Sequence, residues 1–332
     1  MTKIAVLGGG SWGTTLADML CRKGHEVGLW VRETELAREM RDTGENTWYL
    51  PGINLAPGLM ISEEAASVIK GSDFILVVVP CQFMRRVLES LRNDFPDNPV
   101  VICASKGVEL ATLKPQSSVI NESLAGKNPR YAVLSGPSFA DEVSRRLPTA
   151  VSLGCQDMEL GRVLQDVLST EFFRVYANPD FKGVELGGAL KNIMAVAAGI
   201  SDGLKFGNDA RAALITRGLV EMSRFGVALG GREKTFMGLS GMGDLVLTCT
   251  GDLSRNRQVG LALGQGKTLD EILADKKTVA EGVKTTDSVY RLSRNLGVEM
   301  PITAQVHEVL FEDKDPRSAV EELMTRELKI EQ

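Results

Sequence analysis

Proton transfer in a folded chain usually falls to histidine, and this one has little histidine to offer. Only His25 and His307 occur in 332 residues. His25 falls in the turn between the first helical pattern and the second strand pattern, and His307 in a late amphipathic helix where packing is its expected role. A zinc centre lacks both the histidines and the spaced cysteines that it would need. Lysine is the group left to move a proton, provided its surroundings tune it toward neutrality. The strongest candidate is Lys191, in Glu185-Leu-Gly187-Gly188-Ala189-Leu190-Lys191-Asn192-Ile193, a helical run with almost no other charge for two turns on either side. An unpaired ammonium on such a helix costs several kcal/mol, so its presence asks for a ligand; the alternative is a lysine that snorkels to the surface. The small residues at 187 to 189 would let another backbone or a flat ring come close.

Other positions have the character of phosphate receptors. The apolar run Ile4–Leu7 ends in Gly8-Gly9-Gly10-Ser11-Trp12-Gly13, and a helical pattern follows at once. In this G-x-G-x-x-G, Gly8 permits the tight turn, Gly10 lets the backbone approach a pyrophosphate, and Gly13 lets helix pack on strand. The first amides of the helix, near Ser11 and Trp12, would face phosphate oxygens. The pattern points to a dinucleotide. The second strand ends at Arg32, where sites selective for NAD carry an acidic residue. A guanidinium there suits a 2′-phosphate, so NADP is the expected preference, with NAD accepted through Glu33 one residue on. Further along, Ser254 reads as the N-cap of a helix with Arg255 and Asn256 in its first turn, a phosphate receptor or an ordinary cap with solvated arginines. Lys106 follows a buried strand pattern beside Gly107, and Ser135-Gly136-Pro137-Ser138-Phe139-Ala140 joins another strand to a helix.

These residues need a scaffold, and the first half supplies alternating strand and helix patterns. Strands are expected at 3–7, 26–31, 73–79, 99–104, 131–134, 149–153 and 172–176, with a weaker one near 59–61. Helices fall between them, for example at 13–23, 82–93 and 157–168. The continuous apolar run Phe74–Val79 is that of a strand covered on both faces. The alternation predicts a Rossmann-like, doubly wound, mostly parallel sheet. Ligands of such sheets bind beyond the strand carboxyl ends, where Gly8, Arg32, Pro80, Lys106 and Ser135 fall. After Asn178-Pro179-Asp180 the pattern turns helical, with helices expected at 182–203, 208–229, 254–263, 269–275, 284–296, 303–311 and 316–325. Residues 1–180 are therefore expected to form a nucleotide-binding domain, and 181–332 an all-helical substrate-binding and catalytic domain, with the active site between the two.

Composition bounds the function class. A net charge of −5 without a basic block argues against a nucleic-acid surface. The five cysteines show no metal-type spacing and read as reduced thiols. Phe74–Val79 is far shorter than a membrane span of about 20 residues, and the expected location is the cytoplasm.

Taken together, Gly8–Ala17, Ser105-Lys106-Gly107, Leu134–Ala140, Leu190-Lys191-Asn192, Gly238-Leu-Ser-Gly-Met-Gly-Asp244, Ser254-Arg255-Asn256 and Val279-Ala-Glu281-Gly282 resemble the bacterial NAD(P)-dependent glycerol-3-phosphate dehydrogenases, in the order of that family. The resemblance implies reversible hydride transfer between NAD(P)H and dihydroxyacetone phosphate, no metal, a homodimer, and a supply of sn-glycerol 3-phosphate for phospholipid synthesis. It implies that Lys191 is the proton acceptor, and that Lys106, Gly136, Ser138, Lys191, Asp244, Ser254, Arg255 and Asn256 meet the substrate. It places Gly8, Gly10, Ser11, Trp12, Gly13, Arg32, Lys106, Ala140, Arg255, Val279 and Glu281 at the cofactor. Asp244, read as part of a glycine-rich loop, could orient the lysine or a hydroxyl. Two other classes share the first half: an enzyme of a β-hydroxy acid, and an NADP sensor that would not need a lysine in an apolar helix.

Overall fold

The structure, a computed structural model, describes residues 1–274, 280–328 and 330. Contacts divide the chain into two units, 1–106 with 114–185, and 107–113 with 186–332.

The first unit carries ten strands: β1 (Lys3–Leu7), β2 (Glu26–Trp30), β3 (Glu45–Asn46), β4 (Leu50–Asn54), β5 (Met60–Ser62), β6 (Phe74–Val77), β7 (Val100–Cys103), β8 (Arg130–Ser135), β9 (Thr149–Cys155) and β10 (Phe173–Asn178). Eight of them form one sheet in the order β10-β9-β8-β7-β6-β1-β2-β5, parallel throughout except where β8 meets β9. The order climbs in one direction from β1 through β2 and in the other through β6, so the doubly wound switch lies at β1, the strand that ends in the glycine loop. Successive residues of β1 serve opposite layers. Ile4 and Val6 join the core on one face with Leu16, Leu20 and Leu29, while Ala5 and Leu7 join Ile75, Val77 and Val101 on the other. That double burial is why these strands are continuously apolar.

All eight expected strands form. The antiparallel β3–β4 hairpin was not expected; it is short, irregular at Glu45/Asn46, and includes Pro51 and Gly52, so it carries little strand signal. Because β1, β2, β6, β7 and β8 are mutually parallel, the residues that follow them, Gly8, Arg32, Pro80, Lys106 and Gly136, share one edge of the sheet.

The second unit is helical among its described residues. The helix Phe181–Gly203 begins in the first unit and supplies the second with its most buried element. It is long and apolar enough to cross a membrane by length and composition, but its most apolar window is 100% buried inside the protein. An all-round apolar helix packed on every side is a core helix. Around it pack Gly207–Ala228, Arg255–Gly264, Glu281–Leu296 and Pro301–Phe311, with shorter helices between them. The punctuation is as expected, with Pro301 and Pro316 in the first turns of their helices and Gly297 closing another in the left-handed region at φ 65°. Buried Glu221 accepts bonds from the Ile302 and Thr303 N–H groups, at 2.8 Å each, and so caps the helix that begins at Pro301.

Candidate active site

In the first unit the glycine loop is held by backbone contacts on nearly every side. Gly8 stands at φ +128°, and a Cβ there would lie 2.7 Å from Val78 O. A Cβ on Gly13 would lie 1.9 Å from Gly8 O, so no other residue allows the helix to pack this close. At Gly10 a Cβ would meet nothing within 4 Å. The glycine there answers no neighbour in the protein, which is the behaviour of a position kept open for a ligand. Gly10 is also the N-cap of helix Ser11–Arg22, whose first-turn amides lack a helical acceptor. These features fit a dinucleotide pyrophosphate.

The loop has a support that sequence reasoning missed. Asn46, fully buried in the hairpin, donates to Gly9 O at 2.9 Å and to Thr14 Oγ1 at 2.8 Å. Thr15 Oγ1 donates to Ser11 O at 2.8 Å and contacts Ala140 O at 3.3 Å, which brings Ala140 to the helix behind the loop. Trp12 is half-buried, with its ring 6.3 Å from Phe173. Lys106, Gly136 and Ser138 also come together. Lys106 Nζ donates to Gly136 O at 3.4 Å and Ser138 Oγ donates to the same oxygen at 3.1 Å. Gly136 sits at φ +150°, with Val151 Cα 2.9 Å from where a Cβ would be. Arg32, expected at a 2′-phosphate, bonds in this structure to its neighbour Glu33, at 2.5 Å and 3.1 Å to the same carboxylate oxygen. With the arginine side chain 63% exposed, that pair contributes about 1 kcal/mol or less and can yield to a stronger anion.

In the second unit Lys191 does not snorkel. Its side chain is 9% exposed, and Nζ donates to Asp244 Oδ1 at 2.7 Å and to Thr248 Oγ1 at 2.6 Å. The loop expected at Asp244 is corrected: a single wide π-helical turn over Leu239–Gly243 delivers Asp244 as the first residue of helix Asp244–Thr250. A negative side chain is favoured at a helix start, and the same turn puts Thr248 directly above it. Thr248 Oγ1 donates back to Asp244 O at 2.6 Å, which leaves a lone pair to accept from Lys191. Thr248 could have been found from the sequence only by reading Asp244 as helical, since the two are then one turn apart. Gly187 explains the close approach. A Cβ on it would lie 2.6 Å from Ser240 O, so of the two partners considered for the small residues it is a backbone that Gly187 meets. Cys249, next along the helix, is pushed up to about 12 by burial and stays a thiol at neutral pH, which removes it as a competing base.

The expected cap is present as well. Ser254 precedes helix Arg255–Gly264, and its Oγ accepts from Arg257 N–H at 3.2 Å. Arg255 is exposed, and its guanidinium has no hydrogen-bond or ion-pair partner among the described residues. Asn256 is occupied with structure: Nδ2 donates to Asn192 Oδ1 at 2.9 Å, and Oδ1 accepts from Gly282 N–H at 2.9 Å. That bond places Glu281, the first residue of helix Glu281–Leu296, beside the cap. Val279, expected at the cofactor, lies outside the described residues.

Models of the two halves of one family match this chain, the N-terminus of NAD-dependent glycerol-3-phosphate dehydrogenase over residues 3–161 and its C-terminus over 180–321. The chain belongs to the NAD-dependent glycerol-3-phosphate dehydrogenase family. It is 60% identical over 329 residues to glycerol-3-phosphate dehydrogenase [NAD(P)+] of Maridesulfovibrio salexigens, covering 99% of this chain and 100% of the relative. The crystal structure of glycerol-3-phosphate dehydrogenase from Coxiella burnetii superposes with a TM-score of 0.94 at 43% identity, covering 98% of this chain and 99% of that one. The Saccharomyces cerevisiae enzyme superposes at 0.83 with 27% identity, over 96% and 98%. Family membership sets aside the hydroxy-acid and sensor alternatives.

Proposed function

We propose that this chain is the NAD(P)-dependent oxidoreductase its family describes, interconverting dihydroxyacetone phosphate and sn-glycerol 3-phosphate, with Lys191 as proton donor and acceptor. The buried Lys191–Asp244–Thr248 cluster carries the reading, because nothing in the packing of an apolar core helix calls for a charge there. The glycine loop would hold the pyrophosphate of a nicotinamide dinucleotide, which when bound would supply or accept the hydride. As an ammonium, Lys191 donates a proton to the ketone oxygen while alkoxide charge develops, and its positive charge lowers the energy of that charge. As a neutral amine it takes the proton back in the reverse direction. Asp244 and Thr248 fix the position of Nζ, so the proton is aimed before substrate arrives. Arg255 and the helix behind Ser254 offer a dianionic phosphate a guanidinium fork and free amides.

Roles divide between the units in this reading, the first holding the nucleotide and the second the substrate. Arg32 favours NADP over NAD. The resemblance further supports a cytoplasmic homodimer that feeds phospholipid synthesis. The decisive experiment mixes purified chain with NADPH or NADH and dihydroxyacetone phosphate and follows loss of the reduced nicotinamide absorbance. Turnover that requires the phosphorylated ketone is expected; a folded protein that oxidises neither cofactor with this ketone would overturn the reading.

A further inference from the structure

Resting on the reading that the glycine loop takes a dinucleotide pyrophosphate, we propose that Asn46 aims the Gly10 amide at that anion. It does so as a positioning residue, by fixing the direction of the Gly9–Gly10 peptide. A trans peptide is planar, and its C=O and N–H point to opposite sides. Whatever holds the carbonyl of one residue therefore aims the amide of the next. Gly10 stands between two such peptides. The one after it is set by the helix. Gly10 O accepts from Thr14 N–H at 2.9 Å, the first bond of helix Ser11–Arg22, so the Ser11 N–H points out of the helix start.

The peptide before Gly10 lies outside the helix and joins two glycines in a run of three, where steric resistance to rotation is lowest. Turned one way, it offers an anion a donor; turned the other, it offers a carbonyl oxygen that repels it. Asn46 decides between them. Its Nδ2 donates to Gly9 O at 2.9 Å, and Thr14 Oγ1 adds a longer contact to the same oxygen at 3.3 Å. With that carbonyl drawn into the protein, the Gly10 N–H faces the other way and has no acceptor among the described residues. The orientation of the asparagine is fixed as well. Its Oδ1 accepts from Tyr49 N–H at 3.1 Å, and its second Nδ2 proton goes to Thr14 Oγ1 at 2.8 Å. Tyr49 can only donate there, so the nitrogen is the end that meets Gly9. Packing alone would be served by an apolar side chain at this fully buried position, without the cost of burying an amide. What asparagine adds is a donor held against Gly9 O.

Asn46→Asp tests the pin, because an ionised carboxylate of the same shape accepts but cannot donate, and it repels Gly9 O. Pyrophosphate is common to NADPH and NADH. Kd for both, from titration of nicotinamide fluorescence, should therefore rise by about tenfold or more, the worth of one hydrogen bond to a charged group. At saturating cofactor kcat should stay within about twofold of wild type, the mark of lost binding and not of lost chemistry. The direct readout is the Gly10 amide resonance of isotope-labelled chain. It should move when NADPH saturates the wild type and stay in place when NADPH saturates the variant. Kd within about twofold of wild type, or a Gly10 resonance that moves equally in both proteins, would overturn the proposal and leave Asn46 a staple of the hairpin. If Asn46→Asp does not fold, Asn46→Ala, which buries no charge and leaves Gly9 O only the longer Thr14 contact, is read by the same measurements. A wild-type Gly10 resonance that ignores NADPH would instead bring down the pyrophosphate reading itself, and this outcome is visible before any variant is made.

Discussion

The candidate sites of the two units are built by opposite means. The glycine loop of the first unit is built from uncharged groups: free backbone amides at the start of helix Ser11–Arg22, and a buried neutral side chain, Asn46, that steadies the turn. Around Lys191 in the second unit an ammonium and a carboxylate are buried together, 9% and 1% exposed, and each is needed to neutralise the other. A backbone cradle binds an anion that does not change its charge. A buried lysine can change its own, which is what moving a proton requires. The first arrangement depends on space, the second on charge balance, and substitutions should fail in correspondingly different ways.

The largest effect is expected in the charge-balanced centre. Lys191→Met keeps length and apolar packing but cannot titrate. Loss of acid–base catalysis costs about 10²–10⁴-fold, and loss of the cation at the developing alkoxide adds to that, so kcat should fall about 10³-fold or more. Affinity for NADPH, read by titrating nicotinamide fluorescence, should stay near normal because the cradle is in the other unit. Retention of more than roughly a tenth of kcat would move the proton elsewhere, with Lys106 next in line. Asp244→Asn attacks the same balance from the other side and should also lower the melting temperature, since it leaves a buried cation without its counter-charge.

In the space-limited region the contrast lies between neighbouring glycines. Gly10→Ala has room in the protein, so thermal stability should hardly change, while NADPH binding weakens about tenfold or more as the methyl occupies the ligand's approach. Gly13→Ala, with Gly8 O only 1.9 Å from the new carbon, should lower stability and binding together. Normal NADPH affinity in Gly10→Ala would mean that the open space is not where a pyrophosphate lies, and the proposed cradle would fail.

The smallest effect is expected at the exposed rim. Arg32→Ala should raise KM for NADPH about tenfold, the worth of a charge-assisted contact, and leave NADH nearly untouched. An equal change for both cofactors would show that Arg32 does not read the 2′-phosphate, in keeping with its pairing to Glu33 in the structure.

Local chemistry was legible in the sequence because its signals are local. The glycine loop, the apolar parallel strands, the Ser254 cap and the lone ammonium of Lys191 all announce themselves within a few residues of chain, and the ordered motifs pointed to the family. What partners these residues find depends on segments far away in sequence. Asn46 reaches Gly9 from a hairpin with almost no strand signal. Thr248 meets Lys191 across 57 positions, and only because Asp244 opens a helix rather than ending a loop. Gly199 and Gly203 pack against the backbone of the distant helix Arg255–Gly264, yet in the sequence they look like ordinary helix-weakening residues. A residue's own conformational preference and polarity are written in its neighbourhood, so sequence alone could name the candidate groups for chemistry. The distances between those groups are set by packing of non-local surfaces, and only the tertiary structure decided them.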